Sequence, residues 1–210
     1  MKIFERAREV IAANRRAYVT INVVFYALLA LCMAITLIHP AIQETLLSRM
    51  RGELSHGMLK GVAEAYAGGH VVRAMVLTFV VNSLAGALAF ITLPSLVIPF
   101  AGVAFGSYRA CMWGLMFAPG SHRLALIMVP HLLTLVLEGQ GYILAMFGAW
   151  LLGKWCVRPR QCGFASAGAG YRAGIRANLA LYPLILAVLA VAAVYEAIEV
   201  IGVRHYLAAH

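Results

Sequence analysis

Apolar and polar positions along this chain come in long blocks rather than in alternation. Predominantly apolar runs occupy 18–38, 74–93 and 98–118, a longer one covers 124–153, and a fifth covers 177–203. At 1.5 Å of rise per residue, about twenty apolar residues cross the roughly 30 Å hydrocarbon core of a bilayer. The pattern therefore predicts an all-α fold, a polytopic membrane bundle of about five transmembrane helices forming a single membrane domain. The intervening blocks differ in kind. Residues 1–17 read as an interfacial helix, with Lys2, Arg6, Arg8, Arg15 and Arg16 set against Glu5 and Glu9. Residues 41–73 repeat an apolar position every four residues (Ile42, Leu46, Met50, Leu54, Met58, Val62, Tyr66), the mark of one or two amphipathic helices. That segment could dock on the bundle, lie on the lipid surface or meet a partner chain.

Composition agrees with the pattern. The chain is 63% hydrophobic and 12% charged, with a mean hydropathy of +0.86, whereas a soluble domain carries about 25% charged residues. A net charge of +9 would fit a nucleic-acid binder, but the cations collect at the amino terminus and in 154–176, which holds Lys154, Arg158, Arg160, Arg172 and Arg176 and no acid. Membrane topology accounts for them without nucleic acid. Four crossings separate the two basic blocks, so both can face the cytoplasm. This orientation puts 41–73 and the carboxyl terminus outside, with the protein in the cytoplasmic (inner) membrane. The apolar run after the amino-terminal helix has spanning length and no small-residue cleavage site, so it is expected to stay as a membrane segment. Cys32 and Cys111 lie in apolar runs and Cys156 and Cys162 in a basic loop, without metal-binding spacing. Reduced structural thiols, no metal and no cofactor are expected.

Ionisable groups inside the apolar runs set the candidate chemistry, because a charge at the bilayer centre costs about 2.5–3.5 kcal/mol on insertion scales. His131 and Glu138 stand seven residues apart, two helical turns, on one face of the 124–153 segment. Counted inward from the helix ends, Asn82 lies about 12 Å deep, Arg109 about 14 Å, His131 and Glu196 about 10 Å, Glu199 shallower, and Glu138 about 21 Å. One polar layer fed by four helices is expected, with Arg109 paired to Glu196 first and Glu138 second, and His131 beside them. Gly139 and Gly141 flank Gln140 mid-span, where a helix break around a cavity is expected. Structural packing by the same glycines and polar groups is the competing account.

These residues also carry a family resemblance. The Asn82-Ser83 helix, the glycine-rich GVAFGSY, Pro130-His131 followed by Glu138, and the closing AVLAVAAVYEAIE together resemble the stage II sporulation protein M family over about residues 70–200. Leu132 stands where the family has glycine, the histidine-to-glutamate spacing is seven rather than four, Ser83 replaces an asparagine, and so does Ala101. The resemblance implies a multi-pass membrane protein that acts in spore formers within a complex remodelling the cell wall. Three functions stay open. One is a membrane scaffold or assembly partner, homo-oligomeric or bound to membrane and extracytoplasmic proteins through 41–73. Another is a transporter or channel for a small solute, ion or lipid at a His/Glu/Arg site. The third is an intramembrane metalloenzyme using His131, Glu138 and Glu196, for which one histidine and scattered carboxylates are a thin ligand set. No nucleotide motif or nucleophilic triad is present.

Overall fold

The computed structural model describes residues 2–53 and 57–209, and among these the secondary structure is helical throughout, without strands. α1 (Lys2–Ala13) lies against the start of the last helix, seating Ala7, which is fully buried, with Val10 and Ile11 beside it. After Asn14 the chain turns into α2 (Arg15–Ile38), whose buried residues Ile21, Phe25, Leu29, Cys32 and Thr36 recur at helical spacing and mark one inward face. Pro40 opens α3 (Pro40–Glu53), as a residue lacking a backbone N–H can do at a first turn.

α4 (Gly57–Ala67) ends at Gly69, whose φ of 69° makes the turn. α5 (Val71–Val97) follows, and its stretch Val81–Thr92 winds wide, with i→i+5 turns. Thr92 Oγ1 follows that geometry, donating at 2.9 Å to the carbonyl of Ala87 five residues back. α6 (Ala101–Met116) buries Gly102, Gly106, Ala110 and Gly114 every fourth residue. A Cβ at Gly114 would stand 2.3 Å from the Leu29 carbonyl, so this side of α6 touches the α2 backbone. α7 (His122–Val157) is the central helix: Tyr142 to Ala149 is buried almost without interruption. Ser121 caps it by accepting from the Leu124 amide at 3.2 Å. α8 (Ala167–Ala209) runs antiparallel beside α7 in the most extensive contact of the fold.

α2, α5, α7 and α8 are long and apolar enough to cross a bilayer. The protein is a membrane protein with these four candidate spans. The fifth expected crossing, 98–118, corresponds to α6, which at 16 residues is shorter than the others because Phe100, at φ 68°, ends a turn and starts the helix late. The helix break expected at Gly139 and Gly141 does not occur, since α7 runs on through both. Both glycines are points of close approach instead. A Cβ would meet Phe25 and Tyr26 of α2 at 3.1 Å from Gly139, and Leu189 of α8 at 2.5 Å from Gly141.

The 41–73 segment packs on its own bundle. Gln43 is buried and its amide donates to the carbonyls of Met116 and Ala118, both at 2.8 Å, satisfying the open end of α6. Ile42, Leu46, Met50, Val62 and Tyr66 of the apolar stripe are partly buried. Leu54 and the side chain of Met58 lie outside the described residues.

Candidate functional site

The site forms where α4, α5, α6, α7 and α8 meet. Seven residues separate His131 from Glu138 on α7, and antiparallel α8 presents Glu199 and Glu196 to them in reverse order. His131 Nδ1 is 3.0 Å from Glu199 Oε2, and the same oxygen accepts from Thr134 Oγ1 at 3.2 Å. Two turns further along α7, Asn82 Nδ2 in the wide-wound part of α5 donates to Glu138 Oε1. Glu138 and Glu196 line the same small cavity. Two carboxylates facing one cavity repel each other when both are ionised, which favours the protonated form of one of them.

Two cavities meet at this cluster. The inner one, about 160 Å³, is bounded by Asn82, Glu138 and Glu196 with Trp113, Phe117 and His131. The outer one, about 480 Å³, is bounded by His131, Glu199 and Arg204 with apolar residues of α7 and α8. His131 and Phe117 line both, their rings 5.1 Å apart. The imidazole therefore faces both spaces. Glu138 and Glu199 are buried, yet among the described residues Glu199 Oε1 and Glu196 Oε2 have no hydrogen-bond partner, as is also true of Ser83 Oγ, Tyr142 Oη and Asn178 Oδ1. Buried polar oxygens are nearly always satisfied, and such exceptions call for a proton, water or ligand in use.

α4 covers the inner cavity with Leu59 and Val62. Tyr66 holds it in place, with its hydroxyl 3.0 Å from Thr78 Oγ1. Burial pushes the Tyr66 phenol well above its usual range and the charge of nearby Glu196 adds to the rise, so the group stays a neutral hydroxyl. Arg204 fastens the same helix from α8, its Nη1 donating to the carbonyls of Tyr66, at 2.9 Å, and of Ala67.

Of the expected polar layer, Asn82, His131, Glu138, Glu196 and Glu199 come together. Arg109 makes no ion pair with any of them. Its guanidinium carbon is 4.3 Å from the centroid of the Tyr142 ring, 5.6 Å from Phe90 and 5.7 Å from Trp113. The ion pairs within 4 Å among the described residues are Lys60–Glu64 and His131–Glu199, so the expected Arg109–Glu196 pair is not formed. The faces of these rings stabilise the cation. Glu138, counted about 10 Å deeper than the other groups, bonds to Asn82, because α7 runs 36 residues, about 54 Å, and the count from its end carries no information on its stagger against α5.

Two members, Thr134 and Arg204, had no reading from the sequence, and Tyr66 was read only as part of the apolar stripe. Tyr66 ends the apolar stripe, Thr134 lies three residues past His131 on α7, and Arg204 follows Glu199 by five positions on the closing helix. A weak signal existed for Tyr66 and Arg204, the phenol closing an otherwise aliphatic stripe and the lone cation after two glutamates.

Comparison of the chain with models of protein families, with curated proteins and with solved structures finds no match in any of the three.

Proposed function

We propose that the protein is a small transporter of the proton-conducting kind, with His131, Glu138, Glu196 and Glu199 as its working groups. The observation that carries this is His131 lining two cavities at once, with an under-coordinated carboxylate on either side. Imidazole accepts a proton at one nitrogen and releases one from the other, so a histidine placed between carboxylates can pass protons without moving far. Asn82 orients Glu138 for the exchange, Thr134 orients Glu199, and α4 keeps bulk water off the inner pair.

In this proposal α6 counts as a fifth crossing, the amino terminus lies in the cytoplasm and the carboxyl terminus outside, as the two basic blocks would have it. A chain this small is expected to work as a homo-oligomer. A scaffold role in envelope remodelling, which the stage II sporulation protein M resemblance implies, needs a free amphipathic segment. The packing of α3 and α4 onto their own bundle favours the cavity instead.

Purified protein in vesicles loaded with a pH-sensitive dye tests this. Vesicles with the wild-type chain should dissipate an imposed proton gradient well ahead of empty vesicles, and Glu138→Gln should slow them at least tenfold. A gradient held as firmly as by empty vesicles overturns the proposal.

A further inference from the structure

At the opposite end of the bundle from the carboxylate cluster, where α1 meets the end of α7 and the beginning of α8, lies a groove of about 670 Å³. Its mouth carries Arg6 of α1 and Arg176 of α8, both exposed, with Glu9 on the α1 side and Trp155 of α7 beside them. Past Arg176 the α8 wall turns apolar, through Ala177 and Ala180 to Pro183. Seven residues of helix make that wall about 10 Å long. The groove thus has cations at its mouth and a hydrocarbon-like floor leading along a candidate membrane span. A free phosphate would use only the mouth. An amphiphile with an anionic head would use all of it.

Glu9 offsets only part of the charge around the mouth. Among the described residues no carboxylate lies within 4 Å of Arg6 or Arg176, and 154–176 contains no acidic residue. Around the α1–α2 corner a second groove of about 700 Å³ presents Arg15, Arg16 and Lys154 next to Trp150, and the Lys154 ammonium stands 4.7 Å over that indole. Tryptophan beside cations is the composition of a lipid headgroup level. Basic pockets between membrane helices bind acidic headgroups, and each Lys or Arg near an anionic surface contributes about 1 kcal/mol.

We propose that the Arg6–Arg176 groove is a binding site for an anionic phospholipid. Its phosphate lies between the two guanidinium groups beside Trp155, and an acyl chain follows Ala177, Ala180 and Pro183. Such a lipid adds to the packing of α1 on the start of α8. This site is independent of the proton path.

The test uses the full chain, purified in detergent, with lipid retention read by native mass spectrometry. Phosphatidylglycerol, phosphatidylcholine and inorganic phosphate are offered in turn. Wild type should retain phosphatidylglycerol at least tenfold better than phosphatidylcholine and retain no inorganic phosphate. Arg6→Gln and Arg176→Gln should each cut that preference about fivefold, with Arg158→Gln, outside the groove, leaving it unchanged. Glu9→Gln removes the one acid lining the groove and should strengthen retention, which keeps the test decisive if an arginine variant fails to fold. Equal retention of the two lipids, retention of inorganic phosphate in their place, or a Glu9→Gln variant that binds no better overturns the site.

Discussion

Glu138 and Gln140 are two residues apart on α7 and belong to two polar clusters that differ in one respect. Gln140 faces α2, where its carbonyl accepts from the Tyr18 hydroxyl at 2.9 Å and its amide donates to Asn22 Oδ1 and to the Tyr26 hydroxyl, both at 2.8 Å. Tyr26 in turn donates to the Val136 carbonyl at 3.0 Å. Every strong group of that cluster has a partner. Glu138 faces α5 and α8, where oxygens of Glu196 and Glu199 have none among the described residues and two cavities adjoin. A satisfied network rigidifies, and an unsatisfied one holds its atoms in reserve at a cost in stability. The first cluster holds α2 to α7; the second leaves carboxylate oxygens open, which the proposed proton transfer would use.

That contrast sets out what each substitution should do. Gln140→Leu strands Tyr18, Asn22 and Tyr26 together, and at about 0.6 kcal/mol per membrane hydrogen bond it should destabilise the protein by about 2 kcal/mol, read as a fall in the denaturant midpoint in detergent. Arg109→Lys keeps the charge but loses the planar stack on Tyr142, with an expected loss of about 1 kcal/mol. Arg109→Ala and Glu196→Ala should add within about 0.5 kcal/mol when combined, because the two side chains form no ion pair. Recovery of stability in the double variant would restore the direct pairing that depth counting favours. The smallest effect belongs to Tyr66→Phe, which removes one hydrogen bond to Thr78 and should cost about 0.6 kcal/mol. With its phenol pushed up by burial, Tyr66 carries no charge to titrate, so that loss should be the same at pH 6 and pH 8.

The helices were legible because hydrocarbon crossing demands unbroken apolar runs, and 18–38 and 74–93 matched α2 and α5 within a few residues. His131, Glu138, Glu196 and Glu199 were legible for the same reason, since ionisable groups stand out in apolar sequence. Their pairing was not. Which carboxylate meets His131 depends on the axial stagger of α7 against α8, fixed by contacts such as Gly141 on Leu189, and one turn of stagger exchanges Glu196 for Glu199. Arg109 misled because aromatic rings compete with carboxylates for a buried cation, and its ring partners come from three different helices. The Gln140 cluster escaped because Tyr18, Asn22 and Tyr26 are individually ordinary near a membrane surface. The glycines at 139 and 141 read as a break when their missing side chains served close packing.

The two clusters are separated most directly by measuring proton flux and unfolding midpoint on the same preparations of Glu196→Gln and Gln140→Leu in vesicles. Glu196→Gln keeps the shape of the side chain while removing its ability to ionise, so flux should fall at least tenfold with the midpoint unchanged or higher, whereas Gln140→Leu should lower the midpoint and leave flux per folded molecule near wild type. Unchanged flux in Glu196→Gln, or loss of flux in Gln140→Leu at full folding, would contradict the assignment of the open carboxylates to transport and the closed amide cluster to structure.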